Sequence, residues 1–229
     1  MRVIPVIDLL GGVVVRARMG ERASYQPLQT PLSPTSQPRD VVAGLLGLHP
    51  FSTLYVADLD AIAGTGEHDV VLAELAAAFP GLALWVDNGL DDLARAKKWL
   101  AGNTGQLVLG SESQRDSALP AGLRHHPRVI LSLDFRAEAF VGPPEVLAQP
   151  QLWPARVIVM TLARVGSGAG PDLERLAQVL AMAGQRQVFA AGGVRGAADV
   201  LALAKAGAAG VLVASALHDG RLTGKELNQ

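Results

Sequence analysis

Two aspartates close short apolar runs in this chain, Asp8 at the end of VIPVID (3–8) and Asp134 at the end of RVILSLD (128–134). Two carboxylates facing one another across a pocket can divide acid and base work, one ionised and the other held protonated by its surroundings. Thr161, which closes RVIVMT (156–161), offers a hydroxyl to hydrogen-bond a substrate between them. A second chemistry is written at Gly192-Gly193, inside AAGGVR (190–195). Adjacent glycines let backbone N–H groups approach an anion without a Cβ in the way. Ala214-Ser215, inside GVLVASA (210–216), is expected at the same place, and helix N-termini nearby add favourable partial charge for a phosphate. The structural alternatives are an Asp8 or Asp134 paired with Arg16 or Arg136, and a Gly-Gly turn that serves tight packing.

The elements that must position these groups are short and uniformly apolar. Eight runs recur: VIPVID, TLYVAD (53–58), LALWVD (82–87), QLVLG (106–110), RVILSLD, RVIVMT, QVFAAGG (187–193) and GVLVAS (210–215). Buried parallel strands read this way, because neither face needs a polar residue. HDVVLAELAAAF, DDLARAKKWL, PDLERLAQVLAMA and AADVLALAKAG carry helical spacing between them, whereas the segments after Ser111 and Asp134 hold only short or weak helices. Alternating strand and helix predicts a single α/β domain over residues 1–229, a (β/α)8 TIM barrel. Seven runs end on or next to a polar residue: Asp8, Asp58, Asp87, Ser111, Asp134, Thr161 and Ser215. Some can be helix N-caps. Together they predict a polar site at the carboxyl end of the barrel.

Spacing adds a two-fold half-barrel repeat. Asp58 and Thr161 are 103 positions apart, Gly89 and Gly193 are 104 apart, and Gly110-Ser111 and Ala214-Ser215 are again 104 apart. Asp8 and Asp134 are 126 apart, so the first half carries an insertion. Residues 17–38, with Pro27, Pro31, Pro34 and Pro38, account for it as a long irregular loop, expected to act as a lid over the barrel mouth.

Composition removes other classes of function. A net charge of −1 without a basic run argues against nucleic acid or an anionic membrane as partner. No apolar run reaches the roughly 18 residues of a membrane span, and the N-terminus lacks a signal-peptide pattern. The chain has no cysteine, and its five histidines show no ligand spacing, so no metal and no cofactor are expected. The expectation is a cytoplasmic protein, monomeric or a small homo-oligomer.

VIPVIDLLGGVVVRARMG, LYVADLDAIAG, VILSLDFR, FAAGGVRGAADVLAL and GVLVASALHDG together resemble the histidine-biosynthesis barrels, the ProFAR isomerase and its cyclase sister, over nearly the whole chain. The resemblance implies an Amadori aldose-to-ketose rearrangement of a phosphoribosyl amine, with Asp8 as general base, Asp134 as general acid, and Thr161 as the sixth-strand threonine. It implies phosphate binding at Gly192, Gly193, Ala214 and Ser215. A second anion or substrate site is expected at Asn88, Gly89, Gly110 and Ser111, with Arg16 and Asp58 as substrate contacts.

Four departures fall on the substrate face. The third strand ends Asp87-Asn88-Gly89-Leu90-Asp91 where the family has a glycine run and an arginine, and carboxylates there repel a phosphate. The sixth-strand loop reads Thr161-Leu162-Ala163-Arg164-Val165-Gly166, without the family's two aspartates. Tyr55 replaces a histidine, and Arg16 stands where the cyclase has lysine. One phosphate is therefore a firmer expectation than two. The sequence also looks like a divergent branch associated with one-carbon cofactor biosynthesis of the methanopterin or methanofuran type. A non-catalytic barrel that binds a phosphometabolite is the third reading.

Overall fold

The alternation of short apolar runs and amphipathic stretches resolves, in a computed structural model describing residues 1–19 and 21–228, into eight parallel strands that close on themselves. They are β1 (Arg2–Leu10), β2 (Thr53–Asp58), β3 (Ala83–Asp87), β4 (Gln106–Gly110), β5 (Val129–Arg136), β6 (Arg156–Thr161), β7 (Gln187–Ala191) and β8 (Gly210–Val213). Each pairs in parallel with the next, and β8 returns to β1 in the register Arg2↔Gly210 to Pro5↔Val213. This is the expected (β/α)8 barrel. The longer outer helices, among them Pro38–Leu48, Asp69–Ala78, Leu93–Ala101, Leu173–Ala183 and Ala197–Lys205, fall on the stretches with helical spacing. After β4 and β5 the helices shrink to Ala118–Leu123 and Pro144–Ala148. No helix among the described residues is long and apolar enough to cross a membrane.

Strand parity decides which side chains enter the barrel, because successive residues point to opposite faces. Tyr55, Ala57, Trp85, Val108, Ile130, Ile158, Phe189, Ala191 and Leu212 form the inner cluster. Leu54, Val56, Leu84, Val86, Leu107, Leu109, Leu131 and Leu133 belong to the outer one, against the helices. Trp85 and Phe189 plug the interior edge-to-face, their rings 4.9 Å apart. A Cβ on Gly210 would stand 2.8 Å from the Phe189 ring, so β8 leaves room for that plug by carrying no side chain there. Two residues beyond Trp85, the same parity turns Asp87 inward.

The half-barrel repeat is visible as matching hairpins. Val13–Arg16 folds back antiparallel on β1, setting Val15 opposite Asp8. Ala139–Val141 folds back on β5, setting Val141 opposite Asp134. Within the long loop, Gln26–Pro27 adds a third short strand to the first hairpin and Arg22–Ser24 forms a 3-10 turn. The loop ends where Pro38 opens its helix at a position that needs no N–H donor.

Asp58 and His68 brace the turn of the first hairpin. Gly12 N–H donates to His68 Nε2 at 2.9 Å, so the ring proton sits on Nδ1 and is donated to Asp58 Oδ1 at 2.8 Å. Gly11 N–H is held by Asp60 at 2.7 Å.

The Trp85 plug gives a direct test of the interior. Trp85→Ala is expected to lower the unfolding free energy by about 3–5 kcal/mol in urea titration, the usual cost of emptying a large aromatic site. A loss below about 1 kcal/mol would show that the barrel centre is not packed as described.

Candidate active site

The carboxyl end of the barrel opens into a cavity connected to solvent. Asp8, Asp87 and Asp134 form its acidic wall, with Tyr55, Glu112 and Met160; Gly192, Gly193, Ala214 and Ser215 line it elsewhere. Asp87 and Asp134 are buried and Asp8 is partly buried, and each is pushed up from the ordinary 3.8. Burial raises Asp8 to about 7, against the opposing pull of the Arg22 cation. Burial, with the negative charge of Asp134, raises Asp87 to about 8. Burial also raises Asp134 to about 7, while hydrogen bonds from Ser132, Glu112 and Ser111 restrain it and the Glu112 charge adds to the rise.

The surroundings of Asp8 and Asp134 differ in kind. Asp134 is tied at both oxygens. Ser132 Oγ donates to Oδ1 at 2.7 Å, and the Glu112 N–H donates to Oδ2 at 3.1 Å. Ser111 Oγ accepts from the Asp134 N–H at 2.9 Å and lies 2.7 Å from the Val141 carbonyl and 3.1 Å from Asp134 Oδ2. Its single proton serves the nearer carbonyl, so the contact with Oδ2 is satisfied when Asp134 carries a proton. Asp8 accepts no hydrogen bond from any described residue, and its charged partner is Arg22 on the long loop. The donors to Asp134 favour its ionised form, whereas at Asp8 only the Arg22 cation opposes burial.

The glycine pair lines the cavity in a conformation that requires glycine. Gly192 and Gly193 adopt φ of +101° and +85°, which side chains avoid. A Cβ on Gly192 would stand 2.6 Å from the Thr161 carbonyl, and one on Gly193 would stand 2.2 Å from the Gly170 carbonyl. Only glycine therefore leaves this backbone open to the cavity.

The remaining sequence candidates are distributed unequally. Thr161 is buried with parity opposite to Met160, and its side chain does not line the cavity. Asp58 also has outward parity; it caps the helix Leu59–Ala63 through the Ala61 N–H at 3.1 Å and holds His68. Arg16 lies outside the main cavity, paired with Asp219 at 2.8 Å. Asn88, Gly89, Gly110 and Ser111 do not line the cavity either. Gly89 is pressed against the backbone of Ile62, where a Cβ would meet Cα at 2.6 Å, and Gly142 packs over the Ser111 carbonyl.

Sequence reasoning placed Asp87 and Tyr55 on the substrate face without giving them a role, and it passed over Glu112 and Arg22. Tyr55 donates to Asp87 Oδ2 at 3.3 Å. Arg22 forms an ion pair with Glu112, joining the long loop to the β4 exit. The loop also closes on the β6 exit, where the Met19 N–H donates to the Val165 carbonyl at 2.8 Å. Parity counted from Trp85 was the signal available for Asp87; nothing local in the sequence marks Arg22 or Glu112.

The raised carboxylates make stability depend on pH. Their folded pKa values exceed the unfolded one, so the folded chain holds protons that the unfolded chain releases. The stabilisation is complete below about pH 4 and is lost as pH rises through 7 to 8. Asp87→Asn, which fixes the neutral shape, is expected to raise Tm by about 3 °C or more at pH 8.5 and to change it little at pH 5, read by thermal denaturation. An equal effect at both pH values would contradict a buried, raised Asp87.

Comparison with known proteins agrees with this architecture. The family model described as histidine biosynthesis protein matches residues 2–223. A Myxococcus xanthus protein named 1-(5-phosphoribosyl)-5-((5-phosphoribosylamino)methylideneamino)imidazole-4-carboxamide isomerase is 30% identical across 97% of this chain and 95% of its own length. A Rubrobacter xylanophilus protein of the same name is 31% identical across 98% and 94%. An uncharacterised protein of Methanocaldococcus jannaschii is 28% identical across 99% and 97%. With its closed barrel, its inward aspartates on the first and fifth strands, and a match over almost its full length, this chain belongs to the histidine biosynthesis protein family.

Proposed function

We propose that the protein is an isomerase that performs an Amadori aldose-to-ketose rearrangement on a phosphorylated sugar amine, with Asp134 as general acid and Asp8 as general base. The observation that carries this reading is the unequal pair itself. Two carboxylates near neutrality line one cavity; one is held by donors at both oxygens, and the other stands beside a cation without a hydrogen bond. A pKa near the working pH is what a proton-transfer catalyst requires.

The proton ledger closes with these two groups. Asp134 gives its proton to the furanose ring oxygen as the ring opens and C1 becomes an iminium carbon. Asp8 takes the proton from C2, and the electron pair left behind forms the C1–C2 double bond of an enaminol. The enol O–H then returns a proton to Asp134 while Asp8 delivers its own to C1. The product is the aminoketose, and both carboxyl groups regain their starting states.

The relatives' name describes a substrate with two phosphoribosyl groups. For this chain we propose one phosphate held at Gly192-Gly193 with Ser215. The acidic wall at Asp87 and Glu112, together with the packed Gly89 turn, favours a neutral or hydrogen-bond-donating group at the other end. The long loop, ion-paired across the mouth through Arg22, supports the lid reading. Membership of a biosynthetic family supports a cytoplasmic enzyme.

Rescue of a histidine auxotroph lacking the isomerase is the expected outcome of expressing this chain, and a soluble, expressed protein that fails to rescue sinks the isomerase assignment. Asp8→Asn is expected to lower kcat by at least about 100-fold with ligand affinity nearly unchanged, the usual scale for losing a general base. Full turnover in that variant would remove Asp8 from the mechanism.

A further inference from the structure

Behind Asp8 lies a second, smaller chamber between the first hairpin and the turn after β8. Its polar lining is Asp8, Arg16, Ser215 and His218, and it has room for about one water molecule. Asp8 and Ser215 border both this chamber and the main cavity. His218 belongs to neither the acid–base pair nor the anion cradle. It is only 3% exposed, and its Nδ1 is buried without a hydrogen-bond partner among the described residues. An unpaired ring nitrogen in a core is a cost that an apolar residue of similar size would avoid.

The tautomer follows from the surroundings. Burial and the nearby Arg16 cation push His218 down to about 4, against Asp219 and the bond to the Val6 carbonyl, so the ring is neutral. Its proton sits on Nε2, facing Val6, and Nδ1 is an acceptor. Asp8 is also an acceptor that receives no hydrogen bond. Two unserved acceptors thus border one chamber of water size, and a water molecule has two protons to give.

We propose that His218 is a positioning residue for Asp8, joined to it by a water held in this chamber that donates one hydrogen bond to Nδ1 and one to the Asp8 carboxylate. The bridge fixes the carboxylate and favours its ionised form, opposing the effect of burial. Other groups near the pair are Arg22 and Tyr55 on the Asp8 side, and Arg16 and Asp219, the latter held by Arg221 at 3.0 Å, on the His218 side. None of them gives Asp8 a hydrogen bond. Thr30 of the long loop donates to the His218 carbonyl at 3.1 Å, which anchors the loop to the same residue. The base role of Asp8 rests on the isomerase reading, but the bridge does not.

Infrared titration of the carboxyl band, assigned to Asp8 by its loss in Asp8→Asn, tests the bridge without any substrate. His218→Leu is expected to raise the Asp8 midpoint by about one pH unit, and to move the acid limb of kcat/KM upward by the same amount with KM unchanged. His218→Asn, whose amide places a polar atom where Nδ1 was, is expected to stay close to wild type, whereas His218→Gln, which reaches to the Nε2 position, is expected to shift like the leucine variant. A folded His218→Leu protein with the wild-type midpoint, to within about 0.2 units, overturns the proposal. If the leucine variant does not fold, equal midpoints in His218→Asn and His218→Gln overturn it. Because the band titrates in the free protein, a shifted midpoint in a protein that fails the auxotroph test would reject the isomerase reading and leave the bridge standing.

Discussion

Desolvation of three carboxylates inside one closed sheet is the constraint on which this molecule turns. Ionised aspartates avoid low-dielectric surroundings, and a barrel interior filled by Trp85, Phe189 and aliphatic side chains is such a place. Asp8, Asp87 and Asp134 nevertheless point into it, and the cost appears as protons held near neutrality. The rest of the site manages that cost unequally. Asp134 receives Ser132 Oγ and the Glu112 N–H, Asp87 receives Tyr55 and the Gly89 N–H, and Asp8 is offset by the Arg22 cation alone. Protons held near neutrality and lowered stability at alkaline pH then share one origin.

Much of this was legible in the residues, and the reasons are physical. Strands buried on both faces leave an uninterrupted apolar signature, so TLYVAD and RVIVMT marked β2 and β6 to the residue. The half-barrel spacing was legible because both halves solve the same packing problem in the same number of residues. Gly192-Gly193 was legible because a left-handed pair pressed against two carbonyls admits no other residue.

What the sequence hid was direction. Asp58 and Asp87 both end a strand, yet they stand on opposite faces, since Asp58 is one residue past the inward Ala57 whereas Asp87 is two past the inward Trp85. Thr161 and Ser111 fail to reach the cavity for the same one-residue reason. Counting from an identifiable plug residue would have separated them. Arg22 and Glu112 were hidden for another reason: they meet across 90 positions of chain, and their pairing depends on how the long loop folds back over the mouth. No local pattern encodes such a meeting.

The twin hairpins carry a consequence for how such an enzyme can change over time. Asp8 and Asp134 are each strapped by a return strand from their own half, Val15 beside Asp8 and Val141 beside Asp134. The return strand of each group therefore lies within its own half of the gene. Ser111 and Glu112, borrowed from the first half to hold Asp134, cross between the halves. Inheritance can alter the strap of one aspartate while that of the other stays fixed, so changes at the two sides of the mouth can accumulate separately in chains that still fold.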